Sequence, residues 1–307
     1  MPPSFFAATH LHTIIAGEKS VMTQILWLAS YPKSGNTWLR AFLANYLLNT
    51  PTPQNINSLS EFAFGDMRAD YYEQISGKPQ AELSWPEING LRPRVHRHLA
   101  DAHPGTVLVK THNVLSAIDD IPTITPDVTF GAIYVVRNPL DVAVSFSHHY
   151  GLTLDQGARA ICYKPLEIQP KAGHILQVVS DWSSNIRTWL NAPGLYLKIL
   201  KYEEMKKSPS KAFSSVLEFL KIPKEKERLK RAIRHSSFKV LAGQERQTGF
   251  IERSQNAERF FRKGAVGTWR QELAPEQVDL IVDCHKDMMR EMGYLSADGK
   301  PVASPSA

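Results

Sequence analysis

Apolar residues follow two rhythms along the 307-residue chain. Short continuous runs have strand length: Ile25 to Ala29, "TVLVK" at Thr106 to Lys110, "FGAIYVV" at Phe130 to Val136, and "LYLKILKY" at Leu195 to Tyr202. Between and after them apolar residues recur at helical spacing. Trp38, Leu39, Phe42, Leu43, Tyr46 and Leu47 mark one helix face directly after the first run. After the third run, Asn138 is placed to cap and Pro139 to occupy the first helical position. Further helices are predicted over Val178–Asn191, Ser210–Leu220, Lys224–His235 and Pro275–Met292. Pro51 and Pro53 open a mixed region that runs to about Pro104. Strand–helix alternation predicts an α/β single domain, with a central, mostly parallel β-sheet flanked by helices. The expected boundaries are an N-terminal extension over 1–22, a domain over 23–295 and a polar C-terminal tail over 296–307.

Composition narrows the class. A hydrophobic fraction of 43% and a charged fraction of 21% are those of a globular protein, and the formal net charge of +6 suits an anionic ligand. Cys162 and Cys284 lie far apart in sequence with no CxxC pattern, so a disulfide framework is not expected and a reducing, cytoplasmic setting is. No apolar run has the roughly 20 residues that span a bilayer. The N-terminal stretch lacks a basic region, and His10 and His12 interrupt its apolar part, so it does not read as a signal peptide.

Polar clusters stand at the carboxyl ends of three predicted strands, where ligands of such sheets bind. In "YPKSGNTW", Gly35 lets the chain turn, Ser34, Asn36 and Thr37 add donors at a helix N-terminus, and Lys33 adds a full charge. That makes a P-loop-like anion site, although the lysine precedes the glycine and the Walker pattern is absent. His112 ends the second run and is a candidate general base, with Lys110 two residues before it. Arg137 offers a guanidinium fork for a phosphate, and Ser145 a donor on the next helix. Each feature also has a plain structural reading: a capped helix, a strand-end histidine, an Arg137–Asp141 pair.

Together these stretches resemble the cytosolic-type sulfotransferase family, whose donor is 3′-phosphoadenosine 5′-phosphosulfate (PAPS). "YPKSGNTW" is similar to the family's YPKSGTTW loop, and "VLVKTHN" to its KTHLP segment with Asn113 and Val114 in place of Leu-Pro. "RNPLDVAVSFSHHY" resembles RNPKDVAVSYYHF, "LKILKYEEM" the segment ending YEDM, and "RHSSFKVL" the HTSF segment. "FFRKGAVGTWR" resembles FRKGxxGDWK, with Thr268 and Arg270 replacing Asp and Lys. The resemblance runs from about Gln24 to Tyr294.

It implies that Lys33, Ser34, Gly35, Asn36 and Thr37 bind the 5′-phosphosulfate, and that Arg137, Ser145, Arg262, Lys263 and Gly264 bind the 3′-phosphate. Tyr202, Ser236 and Phe238 would lie on the adenine side, where Trp38 would stack or simply be core. His112 would deprotonate the acceptor, Lys33 would stabilise the bridging oxygen, and Lys110 would neutralise the sulfuryl oxygens. The implied activity is in-line sulfuryl transfer from PAPS to a hydroxyl or amine of a soluble small-molecule acceptor, releasing PAP. No metal is required, and His96, His98, His148 and His149 show no ligand spacing.

Two rival classes fit less well. A nucleotide kinase would need the Walker lysine in register. A nucleic-acid module, suggested by "KEKERLKRAIRHSSFK", is opposed by alternating charges and helical apolar spacing, so neither nucleic acid nor membrane is an expected partner. The acceptor lining is expected from 52–103, 151–173 and 243–259, with Phe62, Phe64, Tyr71, Tyr72 and Trp85 as either acceptor wall or core. "RQELAPEQVD" departs from the family's dimer motif, which leaves the oligomeric state open.

Overall fold

The four predicted strands form as expected and a fifth joins them. A computed structural model describes residues 23–163, 167–169 and 173–304; the expected extension 1–22 and residues 305–307 lie outside the described residues. Strands β1 (Gln24–Ser30), β2 (Phe64–Gly65), β3 (Thr106–Thr111), β4 (Thr129–Val136) and β5 (Leu197–Lys201) make one sheet in the order β2-β3-β1-β4-β5. All its pairings are parallel. The chain leaves β1 for β3 on one side and returns to β4 on the other. The carboxyl end of β1 is therefore a topological switch point, where a crevice opens.

Strands this apolar are explained by burial on both faces. Ile25, Trp27, Ala29, Val109, Tyr134 and Val136 face one core, together with Ile88, Val95 and Leu99 of α3 (Trp85–Ala100). Leu26, Leu28, Leu108, Ile133 and Val135 face the other, covered by α1 (Asn36–Leu48), α8 (Pro209–Phe219) and α9 (Lys226–His235). Phe42 of α1 stacks on Phe213 of α8 with ring centroids 3.9 Å apart. In α9, Arg228 donates to the Tyr46 and Leu47 carbonyls near the end of α1, so this basic segment is a structural helix with a solvated face.

Several elements differ from expectation. The mixed region after Pro51 holds β2, α2 (Ala69–Ser76) and the four-turn α3. Gly90 and Pro93 inside α3 disguise it in sequence; at its start the Ser84 N–H and hydroxyl both donate to the Glu87 carboxylate, and its apolar face supplies the rest. The helix expected from Val178 starts later, as α6 (Trp182–Leu190), because Asp181 caps the Ser184 N–H and Gln177–Val178 pair with Glu167–Ile168 in a small antiparallel ribbon. Helices α4 (Pro139–Tyr150), α5 (Leu154–Cys162), α7 (Tyr202–Lys207), α10 (Phe238–Thr248) and α11 (Pro275–Glu291) complete the set used below. Asn138 does cap α4, accepting from the Leu140 N–H.

The described part of the tail is not a free appendage. Asn138 Nδ2 donates to the Val302 carbonyl at 2.7 Å, and Ala303 lies against Gly267. Cys162 and Cys284 are both free thiols, on the neighbouring helices α5 and α11. No helix among the described residues is long and apolar enough to cross a membrane.

One glycine measures how closely β4 and β5 approach. A Cβ added at Gly131 would lie 2.4 Å from the Tyr196 carbonyl oxygen, against backbone that cannot swing aside. Gly131→Ala is expected to destabilise the fold by about 1–3 kcal/mol, the range for overpacking. Urea denaturation with an unchanged midpoint would show that the β4–β5 edge yields instead.

Candidate active site

The loop after β1 is held in a conformation that few residues adopt. Lys33 has φ 67°, in the left-handed region, and Gly35 has φ 107° at the N-terminus of α1. A Cβ at Gly35 would lie 2.7 Å from the Tyr202 ring, so only glycine fits there. Thr37 lies in the first turn of α1, whose N–H groups point into the crevice side. Asn36 behaves otherwise than expected: its side-chain donor turns back to the Leu28 carbonyl at 2.7 Å and locks the loop to β1, leaving only its backbone for an anion. The Ser34 side chain is fully buried and does not line the cleft, so its contribution too is confined to the backbone.

Lys33 is crowded by other cations. Its Nζ lies 3.3 Å from His149 Nδ1 and 3.7 Å from the centroid of the Phe260 ring. Burial, then the charges of Arg137 and Lys110, lower its pKa to about 7.

His112 follows β3 directly, one rung beyond the Ala29–Thr111 register pair. Its Nδ1 lies 2.7 Å from the Ser30 carbonyl oxygen, which can only accept, so Nδ1 carries the proton and Nε2 is left with a lone pair. Burial and the neighbouring Lys110 lower its pKa to about 3, so the ring is neutral at ordinary pH. Both flanking residues are pinned by one buried carboxylate. Asp66 Oδ2, just after β2, accepts from Thr111 Oγ1 at 2.6 Å and from Asn113 Nδ2 at 2.9 Å. Asn113 also receives the Val178 N–H, and Asn185 donates to the His112 carbonyl. Asn113 is therefore a fully buried brace for the histidine rather than part of an acceptor wall.

Arg137, at the end of β4, joins two segments. Its guanidinium donates to the Lys33 carbonyl at 3.1 Å and to the Ala265 carbonyl at 3.2 Å, and lies over the Tyr202 ring. Asp141, a possible partner by sequence, instead accepts from Gly267 N, Thr268 Oγ1 and Trp269 N. Thr268 thus supplies a donor to an acid from α4. Ser145, one turn further on α4, lines the same cleft, as do Arg262, Lys263 and Gly264. Gly264 has φ 56°, and a Cβ there would lie 2.2 Å from the Phe238 ring. Trp38 meets Tyr202 and Phe213 edge-on and also borders the cleft, so it is at once core and cleft wall. Ser236, like Ser34, is an exception. It is fully buried, with its hydroxyl bonded to the Ala232 carbonyl, and does not reach the cleft.

Two residues that the sequence did not single out stand beside His112. Arg40 of α1 donates from both terminal nitrogens to Glu252 at 2.8 and 2.7 Å, and also reaches Thr37 Oγ1. Lys110 Nζ lies 3.5 Å from the same carboxylate. Burial pushes the Glu252 carboxyl up, but the charges of Arg40 and Lys110 outweigh it and hold it far below the usual carboxylate range. Conversely, burial lowers Lys110, and Glu252 is the main influence restoring it. Arg40 and Glu252 are 212 positions apart, a pairing no local pattern reports.

These groups line one cleft of about 1150 Å³, at the upper end of small-molecule sites and large enough for two ligands. Its apolar lining comes from Phe146, Tyr150, Leu152, Ile251 and Phe260. Of the aromatic residues expected as wall or core, Phe64, Tyr71, Tyr72 and Trp85 pack into the main core and Phe62 against the second; none borders the cleft. Among the described residues no three His, Cys, Asp or Glu side chains are grouped so as to hold a metal ion. His96 is buried against Thr125, and His148 is bonded to Glu272.

Residues 24–293 match the family model described as the sulfotransferase domain. The chain is 26% identical over 275 residues to sulfotransferase 1B1 of Mus musculus, covering 85% of this chain and 81% of the relative. It is 22% identical over 270 residues to cytosolic sulfotransferase 13 of Arabidopsis thaliana, covering 82% and 74%. Among solved structures, mouse sulfotransferase SULT7A1 complexed with PAP aligns with a TM-score of 0.57 at 20% identity, over 96% of this chain and 92% of the other. Retinol dehydratase, in complex with androsterone and inactive cofactor PAP, aligns with a TM-score of 0.59 at 19% identity, over 94% and 86%. These likenesses carry the fold, and the family model spans the sheet, the phosphate-type loop and the histidine alike: the chain belongs to the sulfotransferase domain family.

Proposed function

We propose that this cleft binds PAPS and passes its sulfuryl group in line to a hydroxyl or amine of a small-molecule acceptor, releasing PAP. The observation that carries this reading is the tautomer of His112: with Nδ1–H donated to Ser30, Nε2 keeps its lone pair on a ring that lines the same cleft as Lys33 and Lys110. The residues present fit the nucleotide. Gly35 and Gly264 let the Tyr202 and Phe238 rings pack directly on the backbone at the cleft wall, and Arg137 ties together the two segments that would flank the phosphates.

His112 Nε2 would take the proton of the acceptor hydroxyl or amine as its oxygen or nitrogen bonds to sulfur, the bridging oxygen departing with PAP. Lys33 donates to that bridging oxygen, while Lys110 and the N-terminus of α1 stabilise charge on the surrounding oxygens. Positioning and electrostatics dominate such in-line transfers, as in phosphoryl transfer. Burial, and then the field of Lys110, keep the His112 ring neutral and able to accept a proton. Fold relatives that hold PAP, one of them with retinol or androsterone, support a nucleotide donor and a small acceptor. The free cysteines and the Arabidopsis relative named cytosolic support a cytoplasmic location.

His112→Ala should abolish transfer while leaving PAP binding within a few-fold of the parent. Lost PAP affinity would make His112 structural. Arg137→Ala should weaken PAP at least tenfold, as expected for a hydrogen bond to a charged group worth about 1.5–3 kcal/mol; calorimetric titration decides, and equal affinity would remove Arg137 from the phosphate site.

Proton linkage supplies a further check. Free Lys33 titrates near 7, and a bound anion favours its charged form, so above pH 7 PAP binding takes up a proton. Affinity should therefore fall as pH rises above about 7. Titrations in two buffers of different ionisation enthalpy that gave identical heats would rule out this uptake.

A further inference from the structure

The side chains assigned above to the 3′-phosphate already hold an anion of the protein's own. Glu272, at the end of the short helix Trp269–Glu272, accepts from Arg262 Nη2 at 3.0 Å and from Arg262 Nη1 at 3.2 Å. Lys263 Nζ adds a third bond at 2.9 Å, and His148 Nε2 of α4 lies 3.0 Å from the second oxygen. The Glu272 side chain is 15% exposed, and these contacts account for both its oxygens. Burial pushes its carboxyl up, yet the bonds from Lys263, Arg262 and His148 hold it down at about 2, so it is ionised wherever the protein works.

A carboxylate and a phosphate offer a guanidinium the same two-oxygen edge. The Arg262 fork can face one or the other. The start of the helix bearing Glu272 is fixed by Asp141, through Gly267 N, Thr268 Oγ1 and Trp269 N, so Glu272 is held within reach of the fork.

We propose that Glu272 is an internal competitor for the 3′-phosphate, a specificity residue that weakens the hold on the nucleotide and speeds release of the product PAP. This rests on the assignment of Arg262 and Lys263 to the 3′-phosphate. Before the nucleotide binds, Glu272 keeps two neighbouring cations together without an external ion. When PAP leaves, it re-forms its pairs and takes up the charge that the phosphate gives back.

The test is Glu272→Gln, which keeps size and one acceptor but removes the charge. PAP and 5′-AMP, which lacks the 3′-phosphate, are titrated calorimetrically into parent and variant, and PAP release is followed by stopped flow. Thermal melting checks that the variant is folded, and Glu272→Ala serves as a second variant. The expected result is PAP binding about tenfold tighter with a correspondingly slower release, and 5′-AMP affinity unchanged. PAP affinity that is equal or weaker in the folded variants overturns the proposal and makes Glu272 a prop for Arg262. A parent protein that binds PAP no better than 5′-AMP overturns the 3′-phosphate assignment and the proposal with it.

Discussion

Like charge gathered in one cleft is the constraint on which the rest of this structure turns. Lys33, Arg40, Lys110, Arg137, Arg262 and Lys263 all border it. Buried cations repel one another strongly where water does not screen them. Two responses are visible. Some of the charge is relinquished, as at Lys33, which burial and its neighbours bring close to losing its proton. The remainder is matched by acids of the chain: Glu252 against Arg40 and Lys110, and Glu272 against Arg262 and Lys263.

Acids also fasten the segment that lines this side of the cleft. Glu245 of α10 accepts the N–H groups of Phe260 and Phe261, and Asp141 accepts those of Gly267 and Trp269. With Glu252 bound to α1, the chain from 249 to 272 is tied at four places to helices and to itself, although it contains little regular structure. Aromatic contacts complete the closure, with Phe238 on Gly264 and Tyr202 on Gly35. Electrostatic compensation and shape are thus supplied by the same short stretch.

Much of this could be read from the sequence because local physics dictates it. Strands buried on both faces must be apolar throughout, and a helix directly after a strand needs the small and polar residues of the Lys33 loop. The candidate site was legible at its strand ends for the same reason. What could not be read was set by distance or by competition. Helix α3 contains Gly90 and Pro93, which argue locally against a helix that packing nevertheless imposes. Arg40, Glu252, Glu272 and Asp66 carry no motif, and their partners are defined only once the chain has folded. Asn36 and Ser236 show the converse error: a motif position promises a side-chain donor, but Asn36 turns to Leu28 and Ser236 to Ala232.

The bond from His112 to Ser30 joins the residue after β3 to the last residue of β1, and Lys33 lies three positions further along the same chain. His112 and the Lys33 loop are therefore mounted on adjacent rails of one parallel sheet, in a register fixed by backbone pairing. The spacing between His112 and the Lys33 loop is a property of the sheet, whereas the lining around them comes largely from connecting segments. Such a division lets the lining drift through substitutions in the connections while the spacing from His112 to the Lys33 loop is kept. Evolution of new acceptors on this frame is a matter of re-cutting the walls around an unmoved gauge.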